Sequence, residues 1–406
     1  MTRLADRTRR IATSPTMRVT AAVDQLRREG VAVIDLGAGE PDFGTPDHVN
    51  AAARAAIDQG FSKYTPVAGT SELRRAICDR YRLDYGVDYA ETHVIVSAGG
   101  KQALFNTALT LFGPGDEVVI HAPYWPTLAE QVKLAEATPV VVRTRAEDAF
   151  ALTPDLLVSA LTPRTRGVIV NSPCNPTGAL MTEAALAVVA RETAARGIWI
   201  VLDFCYEKLI YDPTPHNLPR VLADCCPDLA VVCGSASKVY AMTGWRCGWT
   251  IAPPPVIAAQ AAVQSHATSN VSSITQKAVL AALSGTQAPV GTMLDAYRRR
   301  RDSLCAWLAA EPALRFLPPR GAFYLWVDVT AACSPDGLRS TIDFASALLD
   351  EERVAVTPGE AFDAPGFIRI SYATSIETLR EGSRRLLAFV GRHKEAAVRA
   401  VQPHGR

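Results

Sequence analysis

The chain has 406 residues, with 42 basic and 41 acidic side chains and a formal net charge of +1. This balance provides no global field to hold nucleic acid or an anionic membrane, so the expected partners are small molecules or a second copy of the chain. Hydrophobic residues make up 48% of the sequence, but no apolar run is long enough to cross a bilayer, which predicts a soluble protein.

The cysteines indicate the compartment. Nine are scattered along the chain, without a CxxC pair or a cluster at the spacing of metal ligands. This pattern predicts reduced thiols of a cytoplasmic protein and no metal site. The first residues also lack the apolar segment of a secretory signal.

Short apolar runs rich in β-branched residues alternate with helical patterns between residues 46 and 290. This alternation is typical of an α/β fold in which helices cover both faces of a mainly parallel sheet. The predicted strands are 93–97, 117–121, 139–143, 167–171, 199–203, 229–234 and 247–252. Polar or small residues follow nearly every strand, at the carboxyl ends where open α/β sheets bind ligands.

The pattern changes after about residue 290. A long basic helix through 297–301 is followed by predicted strands at 322–327 and 366–371, with helices between and after them. We therefore expect a large domain over 46–290 and a smaller α+β domain over 291–406. The arginine run continues into apolar residues at helical spacing, which favours a solvated helix face over a nucleic-acid patch.

One segment of the large domain places a lysine beside two hydroxyls and an arginine. The amine of Lys238 could form a Schiff base with an aldehyde, while Ser235, Ser237 and Arg246 would suit a phosphate dianion. Pyridoxal 5′-phosphate carries both groups, so we interpret Lys238 as its attachment point. Seen in isolation, such a segment is more often a solvated surface lysine, so the interpretation depends on the other segments.

Three of these segments follow predicted strands. Gly99 and Gly100 precede an amphipathic helix whose first N–H groups could bind the phosphate, although a tight packing turn is the alternative. Tyr124 and Trp125 offer flat rings for stacking on a pyridine, or for packing in a core or an interface. Asn175 lies between two prolines, which hold its amide in one direction.

Two charged residues lie in apolar strands. A carboxylate at Asp203 is costly to bury unless a cation such as a protonated pyridine nitrogen pairs with it, although a helix cap is the alternative. Tyr206 could then hydrogen-bond the phenolic oxygen of the same ring. Arg369 suits bidentate binding of an amino acid's α-carboxylate, with a buried structural ion pair as the alternative.

The motifs occur in a fixed order, at 36–43, 63–64, 99–104, 123–125, 175–178, 203–206, 238, 244–246 and 369. On these residues the chain resembles the class I aminotransferases of the fold-type I pyridoxal phosphate enzymes, and particularly the bacterial aspartate aminotransferases. The resemblance runs from about residue 13 to 387. It implies a seven-stranded mainly parallel sheet in the large domain, and an N-terminal segment, 1–45, that packs with the small domain and a partner subunit.

The resemblance also implies transamination between an L-amino acid and a 2-oxo acid such as 2-oxoglutarate, by a homodimer. Lys238, Asp203 and Tyr206 would be catalytic, with Lys238 moving a proton between the substrate and the cofactor. The other implied cofactor contacts are Gly99, Gly100, Lys101, Trp125, Asn175, Ser235, Ser237, Arg246 and, from the neighbouring subunit, Tyr64. The implied substrate contacts are Gly39, Trp125, Asn175 and Arg369, with Lys101 and Thr16 placed for a distal carboxylate that favours aspartate or glutamate.

The chain departs from the family pattern in two segments. Where relatives usually read Asp-Glu-x-Tyr, this chain reads Asp-Phe-Cys-Tyr at 203–206, and Trp249 is larger than the usual tyrosine. An alternative is therefore β- or γ-elimination or replacement on the same scaffold, for example with S-adenosylmethionine. A nicotinamide dehydrogenase would need a Gly-x-Gly-x-x-Gly turn, and a transcription regulator an added helix-turn-helix, and the sequence has neither.

Overall fold

The computed structural model describes residues 4–12, 15–211, 213, 215–333 and 338–401, and within these ranges the side chains of all but 15–18, 20 and 395–401. The helices are α1 Arg7–Arg10, α2 Pro15–Arg28, α3 Asp47–Asp58, α4 Ser71–Tyr85, α5 Gly100–Leu111, α6 Thr127–Leu134, α7 Pro154–Val158, α8 Glu183–Ala194, α9 Leu218–Cys225, α10 Ala236–Val239, α11 Pro254–Ala267, α12 Ser273–Ser284, α13 Ala288–Leu308, α14 Thr341–Glu352 and α15 Ile376–Val401. The strands are β1 Ile34–Asp35, β2 Val94–Ser97, β3 Glu117–Ala122, β4 Thr138–Arg143, β5 Thr165–Asn171, β6 Trp199–Asp203, β7 Ala230–Ser235, β8 Gly248–Ile251, β9 Arg315–Phe316, β10 Tyr324–Asp328, β11 Val354–Ala355, β12 Thr357–Pro358 and β13 Phe367–Ser371.

The large sheet has seven strands in the order β2-β8-β7-β6-β5-β3-β4. Strand β8 runs antiparallel to both of its neighbours, and the remaining pairs are parallel. All seven predicted strands are present, with ends shifted by at most two residues. The predicted α/β class and the seven-stranded mainly parallel sheet are therefore confirmed.

Alternate residues of these strands enter two separate cores, one on each face of the sheet. In β2, Val94 and Val96 pack into one core while Ile95 packs into the other. In β7, Val232 faces the first core and Val231 the second. Because helices cover both faces, both sets of side chains are apolar, which explains why the strands appear as continuous hydrophobic runs in the sequence.

A second, antiparallel sheet has the order β12-β13-β10-β9. Its central strands β10 and β13 correspond to the strands predicted at 322–327 and 366–371. Strand β1 pairs in parallel with β11, with Ile34 opposite Val354, so the N-terminal segment joins the C-terminal part of the chain. The domain boundaries near residues 45 and 290 remain predictions.

The segment after β6 connects the large sheet to the second core. Tyr206 and Leu209 are buried in the core that also contains Phe323 and Tyr324, while Phe204 lies in the core of the large sheet. The backbone N–H of Ala322 donates to Leu209 O at 2.9 Å. Side chains of this segment can therefore meet residues of both sheets. Over the residues that the structure describes, no helix is both long and apolar enough to cross a membrane.

Candidate active site

The candidate site lies at the carboxyl ends of the central parallel strands. Strand β5 leads to the turn that contains Asn175, β6 ends at Asp203, and β7 ends at Ser235. These three strands are neighbours and run in the same direction. The residues that follow them, although far apart in sequence, therefore meet at one edge of the sheet.

Lys238 lies on the single turn α10, directly after β7. Ser235 caps this turn, because its hydroxyl accepts the Ser237 N–H at 3.1 Å. The Lys238 Nζ donates to the carbonyl of Gly39 at 2.5 Å, which brings the N-terminal segment over the lysine. Burial lowers the pKa of Lys238 from 10.5 to about 8. With this pKa, about a tenth of the amine is neutral at pH 7, and this fraction can act as a nucleophile or a base.

A small cradle forms between the start of α5 and α10. An ideal Cβ on Gly99, whose φ is +90°, would lie 2.5 Å from Arg246 Nη2, and one on Gly100 would lie 2.7 Å from Cys205 Sγ. The same Cβ on Gly100 would be 3.5 Å from Ser235 Oγ. The first N–H groups of α5 have no acceptor within the helix. Two glycines, a buried serine hydroxyl and a guanidinium thus surround a place suited to an anion.

Asp203 is a buried carboxylate that forms no ion pair within the described part of the chain. It is 2% exposed, and burial raises its pKa, while the nearby Cys205 and Lys238 act in the opposite direction. Its Oδ1 accepts the Cys205 N–H at 3.2 Å, so the local capping role considered as the alternative is also present. Among the described residues Asp203 forms no ion pair with a Lys or Arg, although Lys238 is near enough for its charge to lower the pKa of Asp203. A cation supplied by a ligand would complete this group.

Arg369 shows the opposite arrangement, a buried cation that forms no ion pair with a described residue. It is 3% exposed, donates from Nη1 to Asn175 Oδ1 at 3.0 Å and from Nη2 to Gly37 O at 2.8 Å, and stacks over the ring of Tyr324 at 4.2 Å. Its Nε is buried and has no hydrogen-bond partner among the described residues. The predicted alternative, a structural ion pair, is not formed within that part of the chain. The positive charge and the Nε–H donor of this guanidinium are suited to binding a carboxylate.

Tyr206 lies between these two charged groups. Its hydroxyl is 2.9 Å from that of Tyr324, and the Arg369 guanidinium stacks on the Tyr324 ring. Both hydroxyls are buried, and burial raises the pKa of each, so both stay protonated at neutral pH. Contacts therefore connect Arg369 through Tyr324 to Tyr206, in the segment that follows β6.

Lys101 and Trp125 lie on the other side of the cradle. The Lys101 Nζ is 4.9 Å from the centre of the Trp125 ring, and burial, followed by the charge of Arg246, lowers the pKa of Lys101. A cavity of 780 Å³ is lined by Lys101, Arg246, Tyr124 and Phe105, together with residues from α6 and from 360–363. Lys101 therefore faces a space large enough for a substrate side chain.

One predicted residue does not join this cluster within the chain, and the side chain of a second lies outside the described part of the structure. Tyr64 is 92% exposed. Thr16 belongs to α2, but its side chain lies outside the described part of the structure. The other predicted residues, Gly39, Gly99, Gly100, Lys101, Trp125, Asn175, Asp203, Tyr206, Ser235, Ser237, Lys238, Arg246 and Arg369, lie around the cradle, the cavity or the Arg369 cluster.

Comparison with known proteins decides the family. The model of "Aminotransferase class I and II" matches residues 31–386. The aspartate/prephenate aminotransferase of Cereibacter sphaeroides is 44% identical over 95% of this chain and 98% of that protein. The aspartate aminotransferase of Geobacillus stearothermophilus is 40% identical over 96% and 99% of the two chains. The chain belongs to the class I and II aminotransferases.

The solved structures agree with this assignment. The aspartate aminotransferase of Thermus thermophilus with maleate superimposes with a TM-score of 0.91 at 40% identity, covering 96% of this chain and all of that one. The enzyme of Rhizobium meliloti gives the same TM-score at 38% identity, over 97% and 100% of the chains. The predicted family, fold and amino-group transfer are confirmed. These relatives give no support to the alternative of elimination or replacement.

The two departures from the family pattern have structural explanations in this aminotransferase. Phe204 turns away from the site and packs against Tyr85, with ring centres 5.6 Å apart. Trp249 fills the space over Gly234, where an ideal Cβ would lie 2.2 Å from the Trp249 Nε1. Only Cys205 faces the cradle. The departures therefore leave the charged groups of the site unchanged.

Sequence reasoning missed Tyr324 and Thr357, which both contact the Arg369 guanidinium. In the register of β10 and β13, Trp326 lies opposite Arg369. Tyr324, two residues from Trp326, is on the same face and therefore diagonally beside Arg369. The sequence predicted a strand here, in which residues two apart share a face, but it did not predict the register of that strand with β13.

Proposed function

We propose that this aminotransferase binds pyridoxal 5′-phosphate covalently through Lys238 and uses it to exchange the amino group of an amino acid with a 2-oxo acid. One arrangement carries the proposal: around a lysine with a pKa of about 8, the described residues hold a buried carboxylate and a buried guanidinium, neither of which forms an ion pair among them. A protonated pyridine nitrogen has the charge to pair with the carboxylate, and an α-carboxylate has the charge to pair with the guanidinium.

The residues present fit the cofactor. Asp203 would pair with the pyridine nitrogen, Asn175 and Tyr206 would contact the phenolic oxygen, and Trp125 would stack on the ring. The phosphate would be held by Gly99, Gly100, Lys101, Ser235, Ser237 and Arg246. The absence of side chains at the two glycines supports this assignment, because a Cβ at either one would collide with Arg246 or Cys205.

When bound, pyridoxal phosphate supplies an electron sink for the substrate's Cα and a carrier for the amino group between the two halves of the cycle. The protein then has three tasks. Lys238 Nζ, partly neutral at pH 7, would accept the proton from Cα as a general base and return it as a general acid. Asp203 would hold a positive charge in place by its buried negative charge. Arg369 would orient the substrate so that its Cα faces Lys238.

The α-carboxylate would lie between Arg369 and the backbone of Gly39. An ideal Cβ on Gly39 would be 3.8 Å from Arg369 Nη2, so the glycine backbone borders the guanidinium. Its carbonyl accepts from Lys238 Nζ, and this contact joins the substrate site to the catalytic amine. Asn175, bonded to Arg369 Nη1, would contact both the substrate and the cofactor.

For the amino donor we propose an acidic amino acid such as aspartate, with a 2-oxo acid such as 2-oxoglutarate as acceptor. Several relatives are named aspartate aminotransferases or aspartate/prephenate aminotransferases, which supports this class. The charge of Lys101 beside the cavity would bind the distal carboxylate. Thr16 is proposed as a further contact.

We also propose that the enzyme is a homodimer in the cytoplasm. The ring of Tyr64 is 92% exposed and is therefore accessible to a neighbouring subunit, whose phosphate site it would join. The cysteines are all free thiols, and such thiols persist in a reducing compartment.

The proposed function is tested by trapping the cofactor. Protein supplemented with pyridoxal phosphate and treated with borohydride should yield a single modified peptide, labelled at Lys238. Added aspartate should change the visible absorbance of the untreated protein, and a 2-oxo acid should restore it. An unmodified Lys238 would contradict cofactor attachment, and an absorbance that no amino acid changes would contradict transamination.

The role of Lys101 gives a prediction about specificity. We expect Lys101→Met to lower kcat/KM for aspartate by roughly 10- to 100-fold, the loss of one charge-assisted hydrogen bond, with a smaller effect on alanine. Steady-state rates with both amino acids, at saturating cofactor, measure the difference. Lys277→Met on α12, which pairs with Glu72 away from the cavity, is the matched control. If Lys101→Met weakens cofactor binding but leaves the aspartate-to-alanine ratio unchanged, Lys101 serves the phosphate only.

A further inference from the structure

Tyr324 joins two parts of the site that have separate roles in the proposed function. Its side chain is fully buried on β10. Its ring lies under the Arg369 guanidinium at 4.2 Å, and its hydroxyl is 2.9 Å from that of Tyr206. Tyr324 thus connects Arg369, the proposed carboxylate site, with Tyr206, the proposed contact of the cofactor's phenolic oxygen.

Only one proton can occupy the contact between the two hydroxyls. If Tyr324 donates to Tyr206, the Tyr206 proton is free to donate elsewhere. The Arg369 guanidinium lowers the pKa of both hydroxyls, but it stacks directly on the Tyr324 ring at 4.2 Å and therefore acidifies Tyr324 more, which favours Tyr324 as the donor. Tyr206, in turn, becomes a stronger donor because its own oxygen accepts a hydrogen bond.

We propose that Tyr324 is a positioning residue that couples occupation of the Arg369 site to the strength of the hydrogen bond donated by Tyr206. A carboxylate that pairs with Arg369 neutralises the charge above the Tyr324 ring, so Tyr324 donates less strongly and Tyr206 weakens with it. This inference rests on the proposed function, in which Tyr206 contacts the phenolic oxygen. Arg369 also donates to Asn175, the other proposed contact of the phenolic oxygen, and this second connection does not depend on Tyr324.

The test compares Tyr324→Phe with wild-type protein loaded with pyridoxal phosphate. The variant keeps the ring under Arg369 and removes only the hydroxyl. The readout is the pH midpoint of the visible absorbance, measured without and with saturating succinate, a dicarboxylate that has no amino group to transfer. A donor to the phenolic oxygen stabilises its deprotonated form and lowers the midpoint, so a weaker donor raises it.

We expect Tyr324→Phe to raise the midpoint of the succinate-free protein by roughly half to one pH unit, the effect of one neutral hydrogen bond. The additional rise caused by succinate should shrink to less than half of the wild-type value, without vanishing, because the Asn175 connection persists. Succinate affinity at a pH below both midpoints should change by less than about threefold, since the cation still stacks on an aromatic ring.

A control and a double mutant separate this role from a structural one. Tyr297→Phe removes another fully buried hydroxyl of the same core, one without a hydrogen-bond partner among the described residues, and should leave both midpoints unchanged. In a Tyr206→Phe background, Tyr324→Phe should add nothing to the midpoint. Wild-type midpoints in Tyr324→Phe, equal shifts in Tyr297→Phe, or additive shifts in the double mutant would each overturn the inference. An absence of any pH-dependent visible absorbance in the wild type would instead overturn the proposed function, and the inference with it.

Discussion

Replacing Lys238 with alanine is expected to lower the rate of the amino-acid half-reaction by on the order of 10³- to 10⁴-fold or more, because general acid–base catalysis alone contributes up to that amount. The variant would also lose the covalent attachment of the cofactor. The rate is measured in a single turnover, by mixing loaded protein with aspartate and following the visible absorbance. Aspartate is chosen because the proposed distal contact favours an acidic side chain.

Lys394→Ala is the matched control for this variant. It removes a lysine whose Nζ pairs with Glu311 at 2.9 Å near the end of the long C-terminal helix α15. We expect its single-turnover rate to equal that of the wild type, because a surface ion pair contributes little. A Lys238→Ala protein that retains more than about a tenth of the wild-type rate would show that another group moves the proton.

The stability of the cofactor-free protein offers a second measurement on the same variant. Burial lowers the pKa of Lys238 from 10.5 to about 8, so between these values the unfolded chain binds more protons at this residue than the folded one. The contribution of Lys238 to the free energy of unfolding therefore rises as pH increases from about 8 to 10.5. In Lys238→Ala this contribution should be absent, which denaturant unfolding at a series of pH values would detect.

Asp203→Asn is expected to slow the same half-reaction by roughly 10²- to 10³-fold, the usual effect of removing one preorganised electrostatic contact that stabilises the transition state. The substitution keeps the size and shape of the side chain and removes its charge. Without that charge, the side chain at position 203 would not stabilise a proton on the pyridine nitrogen of the bound cofactor. Borohydride trapping at Lys238 should persist in this variant, which separates attachment from electron withdrawal.

The cofactor-free form of Asp203→Asn should show the reverse effect on stability. Burial raises the pKa of Asp203, so in the unloaded wild type its contribution to stability falls as pH rises from 3.8. The asparagine removes this penalty, so the unloaded variant should unfold at a higher temperature than the wild type at pH 7. Asp224→Asn, on the surface of α9, is the control and should change neither rate nor stability appreciably. A lower unfolding temperature for unloaded Asp203→Asn would mean that the charge already has a partner in the protein.

The large sheet was predictable from the sequence because both of its faces are covered. Residues such as Ile95 and Val96 enter opposite cores, and neither face needs polar side chains. The strands are therefore unbroken apolar runs, and helices separate most of them. The direction of β8 was not predictable, because an antiparallel strand buried on both faces has the same composition as a parallel one.

The residues of the site were recognisable by their chemistry. Asp203 and Arg369 each place a charge in an apolar strand, and such a charge requires a partner whatever the fold around it. Lys238 was identified by its neighbours in sequence, Ser235, Ser237 and Arg246. Local sequence therefore determined which groups are available for cofactor and substrate.

The tertiary structure alone decided which of these groups meet. It places Tyr324 beside Arg369 through the register of β10 and β13, turns Phe204 into a core away from the site, and leaves Tyr64 on the surface. Register and strand order depend on pairing between segments that are far apart in the chain, and no local pattern encodes that pairing. By itself the sequence determined the strands and the chemistry of each site residue, and the long-range pairing of strands determined the distances between them.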